Sequence, residues 1–498
     1  MKRILISAMS VLMFCTAIFA NTAENASAAP KETKKQKKEV KYNEQGEIIK
    51  TGTNFGPLPV VAFDADRGFQ FGALLNLYNF GNGDTYPNPK STWYFEASAY
   101  TKESTINSYK FIVNYDNKTL IPGVRMSICS GYYKDAALDF YGFNGYQSNY
   151  DMDLVKENLF FSDDKAGEKL QNKFDKKGKL PKGFYRHGRD LIKIKADFTG
   201  EILNNFYWEA GYSFTWTKTQ SFTPNGYTVF PGANLGDNYV GTSLFDLYKA
   251  WGIIPENEAN GGVVSALKAG LMYDSRDVEN NPTKGIWAEA HVIGAPKWLG
   301  TSVGHAKYCA TFRHYVPIIK DGKLTFAYRI AYQGTFGNSS PWYTLPFYTN
   351  MGPKADNDGF GGYRTVRGLM LNRVQGLDVG FYNAEFRWRF VDFKLFNQNI
   401  AFAVSAFTDG AHVFRGYDMT FSDEAKAKLL LADPVTGATK AALYDKFVFD
   451  RKDGFHASAG GGLRFIMNQN FIVAFEYARC FNKQDGNGAF YINTGFLF

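Results

Sequence analysis

The chain has 498 residues and a formal net charge of +8, from 56 Lys and Arg against 48 Asp and Glu. Aromatic residues make up 17% of it, with 45 Phe and 31 Tyr beside 49 Gly, yet the mean hydropathy is only −0.30. Past the N-terminus no apolar run reaches about 18 residues, which excludes a transmembrane helix but not a barrel, where half of each strand is polar.

Lys2 and Arg3, followed by the apolar stretch from Ile4 to Phe19, predict a secretory signal over residues 1–28. Cleavage is expected after Ala20, after Ala23 or in the Ala26-Ser27-Ala28 stretch. Phe14 is too bulky beside Cys15 for a lipidation site. Residues 29–56 hold Lys31, Lys34, Lys35, Lys37, Lys38 and Lys41 and few apolar groups, so a disordered, basic periplasmic segment is expected. It reads as a solvated spacer, or as a tether to anionic headgroups or a periplasmic partner. It is shorter than the roughly 40 residues that usually fold alone, so no soluble domain is expected before residue 57.

From 57 to 498 the pattern has period two. Leu324, Phe326, Tyr328, Ile330 and Tyr332 alternate with Thr325, Ala327, Arg329, Ala331 and Gln333, so each set takes one face of a strand. Sixteen strands are predicted, at 58–64, 69–80, 91–101, 105–116, 122–134, 185–199, 204–217, 263–275, 284–295, 304–316, 323–334, 378–390, 398–409, 454–466, 470–480 and 488–498. The long connections, 135–184, 218–262, 335–377 and 410–453, all follow odd-numbered strands and so fall at one end. Short turns at one end and long loops at the other are the pattern of outer-membrane barrels. The fold class is therefore all-β, a 16-stranded antiparallel transmembrane β-barrel. Ser422, Asp423 and Glu424 predict the start of a loop helix that ends before Asp433-Pro434. The first strand is short and bounded by Gly56, Pro57 and Pro59, so its pairing with the last is expected to be weak.

Cys129, Cys309 and Cys480 are far apart, lack metal-ligand spacing and read as packed small residues. No GxSxG, HExxH or phosphate-loop motif occurs, and His187, His291, His305, His314, His412 and His456 have no triad spacing. No enzyme activity, cofactor, metal or nucleic-acid partner is expected.

Two segments resemble a known family. Asp274-Ser275-Arg276-Asp277 with Asn281-Pro282-Thr283-Lys284-Gly285 resembles the D-[ST]-R-D…NP-x-[KR]-G turn of the BamA/TamA-type outer-membrane insertase and translocation barrels. Val366-Arg367-Gly368-Leu369 resembles the VRG[FY] motif of the loop that folds into their lumen. Residues 59–72 resemble the first hairpin of short members, so the similarity runs from about 57 to 498. The resemblance implies that Arg367 is tied to acidic groups on strands 12 and 13, here Glu385 and Asp409. Both have inward phase, and a guanidinium can fork to a carboxylate. The alternative is a solvated Arg367, with Glu385 paired to Arg387 or Arg389. The sequence departs from the family at Leu369, which lacks the aromatic, and at Ala411, where F-x-D-x-G expects glycine after Phe407 and Asp409. The best-known members place repeated soluble domains before the barrel, so the resemblance implies a short member lacking POTRA domains. Phe496 and Phe498 read as the C-terminal signal of such barrels.

The resemblance implies a role in assembly or export of outer-membrane or surface proteins. Outer-membrane lipids, unfolded outer-membrane proteins and other envelope assembly subunits are the expected partners. The alternative is a plugged pore or a structural subunit of an envelope complex. Lumenal Lys193, Lys195, Lys268, Lys307, Arg313, Arg329, Arg387 and Arg389 would favour anions if water passes, or they pair with Glu96, Asp197, Glu209, Glu289 and Glu476.

Overall fold

The structure is a computed structural model and describes residues 41–43, 46–64, 68–102, 105–157, 183–222, 243–353 and 357–498. The expected signal over 1–28 lies outside the described residues, as does the basic segment as far as residue 40. The chain divides into two units, Met1–Gly46 and Glu47–Phe498. All that follows concerns the second.

Its wall is β1 (Thr53–Asp64), β2 (Gly68–Asn79), β3 (Ser91–Lys102), β4 (Thr105–Ile121), β5 (Val124–Asp139), β6 (Arg186–Leu203), β7 (Phe206–Ser221) and β8 (Gly261–Asp274). It continues with β9 (Gly285–Ala295), β10 (His305–Ile319), β11 (Leu324–Thr335), β12 (Asp378–Leu395), β13 (Gln398–Arg415), β14 (His456–Met467), β15 (Phe471–Cys480) and β16 (Ala489–Thr494). Each strand pairs antiparallel with its neighbours in sequence, and β16 returns to β1, closing a barrel.

Alternation assigns the faces as read from the sequence. On β11, Thr325, Ala327, Arg329, Ala331 and Gln333 are buried in the lumen, while Ile330 on the other face is 58% exposed. Phe312, Phe386, Trp388 and Phe475 are likewise exposed on the outside. In water such a surface would be unstable. Against lipid it is the stable outer face of a barrel.

All sixteen predicted strands are present, but both ends of the wall differ from expectation. β1 starts at Thr53, inside the stretch expected to be disordered to 56, and carries Pro57 and Pro59 within it. Even before β1 the chain is held, since the Ile48 N–H donates to Asn399 Oδ1 at 3.0 Å. The prolines are tolerated because β1 lies at the seam, where one row of N–H groups has little to pair with. At the other end, β16 stops at Thr494 instead of Phe498. Gly495 has φ +85°, a backbone that favours glycine, and turns the tail inward. Phe498 ends 2% exposed against Tyr315 and Ala327, so Phe496 and Phe498 do not face lipid.

The long loops gather at one end. Phe140, Phe143, Tyr248, Trp251, Trp342 and Phe447 belong to one buried cluster drawn from four of them. The helix Asp423–Ala432 lies in this region, with Ser422 capping it through the Ala425 N–H. At the opposite mouth, the β8–β9 turn reaches the β14–β15 turn. Asn280 Nδ2 donates to Asn470 Oδ1 at 2.8 Å, and Asn281 Nδ2 donates to Gln469 Oε1 at 2.5 Å.

Candidate functional site: an arginine held in the lumen beside the seam

The loop between β11 and β12 runs into the barrel. Val366 and Leu369 are buried in an apolar cluster with Phe381, Ala411 and Val413. Leu369 thus fills its place by packing without an aromatic ring, and Ala411 lies in the same cluster where the family pattern has glycine.

Between these two residues the Arg367 guanidinium meets three carboxylates. Nε and Nη2 fork to Asp409 Oδ2 and Oδ1 at 2.8 and 3.0 Å. Nη1 donates to Glu385 Oε2 at 2.8 Å and to Glu476 Oε1 at 2.7 Å. The Arg367 backbone N–H adds a bond to Asp409 Oδ2 at 3.0 Å. The Phe407 ring lies 3.3 Å below the guanidinium carbon. A fully buried charge is stable only with such complete pairing.

The structure therefore brings Arg367, Glu385 and Asp409 together, and Glu385 also pairs with Arg387, at 3.0 Å from Nε. Sequence reasoning missed Glu476 as the third carboxylate, and it missed Arg464. Arg464 Nη2 lies 3.0 Å from Glu385 and 2.7 Å from Glu476. Both residues have inward phase on β14 and β15, which was the signal available.

Gly368 has φ +91°, and a Cβ there would stand 3.0 Å from the Ala478 Cβ. Its N–H donates to the Tyr491 hydroxyl on β16 at 3.0 Å. The Cys480 thiol donates to its carbonyl at 2.7 Å. Tyr491 is also the residue of β16 that pairs with Asp64 of β1, and this is the sole register pair of the seam among the described residues. By contrast, β1 and β2 share twelve.

The second predicted segment forms a compact turn at the short-loop mouth. Arg276 forks to Asp274 through Nε and Nη2 at 2.8 and 2.5 Å and stacks 3.8 Å from Trp287. Asp277 Oδ1 accepts from the Thr283 and Lys284 N–H groups at 3.0 and 3.2 Å, which closes the turn around Pro282. Gly285 has φ +104°, and a Cβ there would lie 2.2 Å from the Ser275 carbonyl oxygen.

The other lumenal charges are largely paired. Lys195 and Lys268 both reach Asp197, at 3.0 and 2.6 Å, and Arg313 reaches Glu289 at 3.1 Å. The three cysteines are buried. Among the described residues no group of three or more His, Cys, Asp or Glu could hold a metal ion.

Residues 136–498 match the Omp85 superfamily domain. Among solved structures the chain is similar to BamA from Haemophilus ducreyi lacking POTRA domains 1–3, with TM-score 0.47 and 15% identity, over 90% of this chain and 70% of that one. It is similar to CdiB from Escherichia coli, with TM-score 0.49 and 10% identity, over 92% and 67% of the two chains. For CdiB from Acinetobacter baumannii the values are 0.43 and 11%, over 90% and 61%. No curated protein matches the chain.

Proposed function

The chain belongs to the Omp85 superfamily, and on that footing we propose that it aids the assembly or export of outer-membrane or surface proteins from within the bacterial outer membrane. The observation that carries this reading is the seam. Among the described residues β1 makes one register pair with β16 against twelve with β2, so the β1 edge that faces β16 is sparsely paired. Such an edge can template an incoming strand. β16 is six residues long, a rise of roughly 20 Å, against roughly 30 Å for a bilayer core. A wall this low beside the seam would thin the adjacent bilayer and ease insertion.

In this reading Arg367 and its three carboxylates lock the inner loop while the seam is at rest. Residues 1–28 act as a removable secretory signal. The partners are outer-membrane lipids and unfolded outer-membrane proteins, or other assembly subunits.

The test is depletion of the protein followed by quantitative proteomics of the outer membrane. Broad loss of barrel proteins supports general insertion, and loss of one or two surface proteins supports a dedicated exporter. No change removes the role. A plugged structural barrel is the second reading, favoured by the filled lumen and the ion pairs across it. Planar-bilayer recordings separate the two, because a gated seam gives rare openings and a plugged barrel gives none.

A further inference from the structure

The inward-turned tail after β16 touches the same charge network that holds the inner loop. Arg387 Nε contacts Glu385 Oε1 at 3.0 Å, while its Nη2 donates to the Phe498 main-chain oxygen at 3.2 Å. Its guanidinium carbon lies 4.1 Å from the Phe496 ring centre and 5.0 Å from that of Phe498. Arg464, which shares Glu385 and Glu476 with Arg367, lies 4.9 Å from the Phe496 ring centre. One carboxylate, Glu385, thus sits between the loop arginine and the arginine that holds the tail.

We infer that Arg387 is a positioning residue that couples release of the inner loop to release of the seam strand. The cluster contains Arg367, Arg387 and Arg464 against Glu385, Asp409 and Glu476, three positive charges against three negative. If the loop withdraws Arg367, two positive charges face three negative ones in a buried space. Arg387 Nη1 and Arg464 Nε both lack a hydrogen-bond partner among the described residues, but of the two it is Arg387 that also bonds the Phe498 main chain, so its answer is the one that reaches the tail. Turning toward the exposed carboxylates takes Nη2 off Phe498 and the guanidinium off both rings. The tail then keeps only packing and the ring contacts of Arg464 with Phe496 and of Arg329 with Phe498, on a glycine hinge at Gly495 where a Cβ would meet nothing within 4 Å. The coupling must run both ways, so freeing the tail loosens the loop. The inference deepens the reading above, in which the seam opens, by naming the residue that links it to the lock.

The test is hydrogen–deuterium exchange on the full chain in detergent, without client. In R387Q, amides of 366–369 and of 489–498 should both exchange about tenfold faster, the worth of about one lost charge-assisted hydrogen bond. Amides of β4 to β7 should be unchanged, and R387K should restore part of the protection in both regions. F498A leaves every buried charge in place and should loosen both regions too. The double variant should add little to either single one. A change confined to one region, a uniform change around the barrel, or additive effects in the double variant would overturn the coupling. These measurements need no assembly activity. Coupled exchange with no effect of depletion keeps the device and removes the assembly role, and the reverse outcome does the opposite.

Discussion

The backbone N–H of Gly368 donates to the hydroxyl of Tyr491 at 3.0 Å. The first residue belongs to the loop that fills the lumen, and the second to the strand that closes the wall. Tyr491 also makes the register pair with Asp64. Plug and seam therefore meet at one side chain, and a change at either is felt by the other.

Tyr491→Phe keeps the ring and removes the hydroxyl. It should cost about 1 kcal/mol, the net worth of one hydrogen bond. The barrel should stay folded while amides of 489–494 lose protection in hydrogen exchange. Unchanged protection there would mean that the loop does not steady the seam strand.

Arg367→Ala strips the cation from three buried carboxylates. Removing one member of a buried ionic cluster costs about 3–5 kcal/mol. The thermal transition in detergent should fall, and the folded band in unboiled electrophoresis should melt at lower temperature. A variant with the wild-type transition would rule out the lock.

Gly285→Ala should be worse than Gly300→Ala. Gly300 has φ +94° but open space around its Cβ position, so its cost is the left-handed backbone alone, about 1–2 kcal/mol. At Gly285 a Cβ meets the Ser275 carbonyl at 2.2 Å, so the turn itself must shift, for a total of about 3 kcal/mol. Refolding yields into detergent micelles would rank the two, and equal yields would show that the turn is slack.

Acid should loosen the long-loop end. Asp453 lies in the loop before β14, with Oδ1 accepting from the Tyr146 N–H at 2.9 Å and contacting His456 Nε2 at 3.0 Å. Its Oδ2 accepts from the Val413 N–H at 2.9 Å. Burial alone would raise this carboxyl, but the hydrogen bonds outweigh burial and hold it below the ordinary range. A depressed folded-state pKa stabilises above the unfolded value of about 3.9 and is lost as pH falls through the lower folded value. Exchange at residues 144–148 should therefore be steady in the mildly acidic range and rise below about pH 4. Asp453→Asn should abolish that acid step, and an identical step in the variant would assign it to another group.

The period-two pattern, the sixteen strands and the gathering of long loops at one end were legible in the chain. Each depends on neighbours one or two positions away, or on counting strands, and antiparallel pairing of sequential strands carries that local information around the wall. Glu385 and Asp409 were legible as inward neighbours on adjacent strands, while the pairing of Arg367 with them was legible only through the resemblance of its loop to the family motif. Glu476 and Arg464 take inward phase too, on the next two strands of the wall, but whether they join the Arg367 cluster depends on how far the loop descends. Phe496 and Phe498 continue the alternation and read as strand, yet a bend at Gly495 turns them toward Arg387. A period-two pattern fixes which face a residue takes only while the strand continues. Where it stops, and what stands on the far side, is decided by the closed barrel, in which aromatic rings and buried guanidinium groups find one another across the lumen.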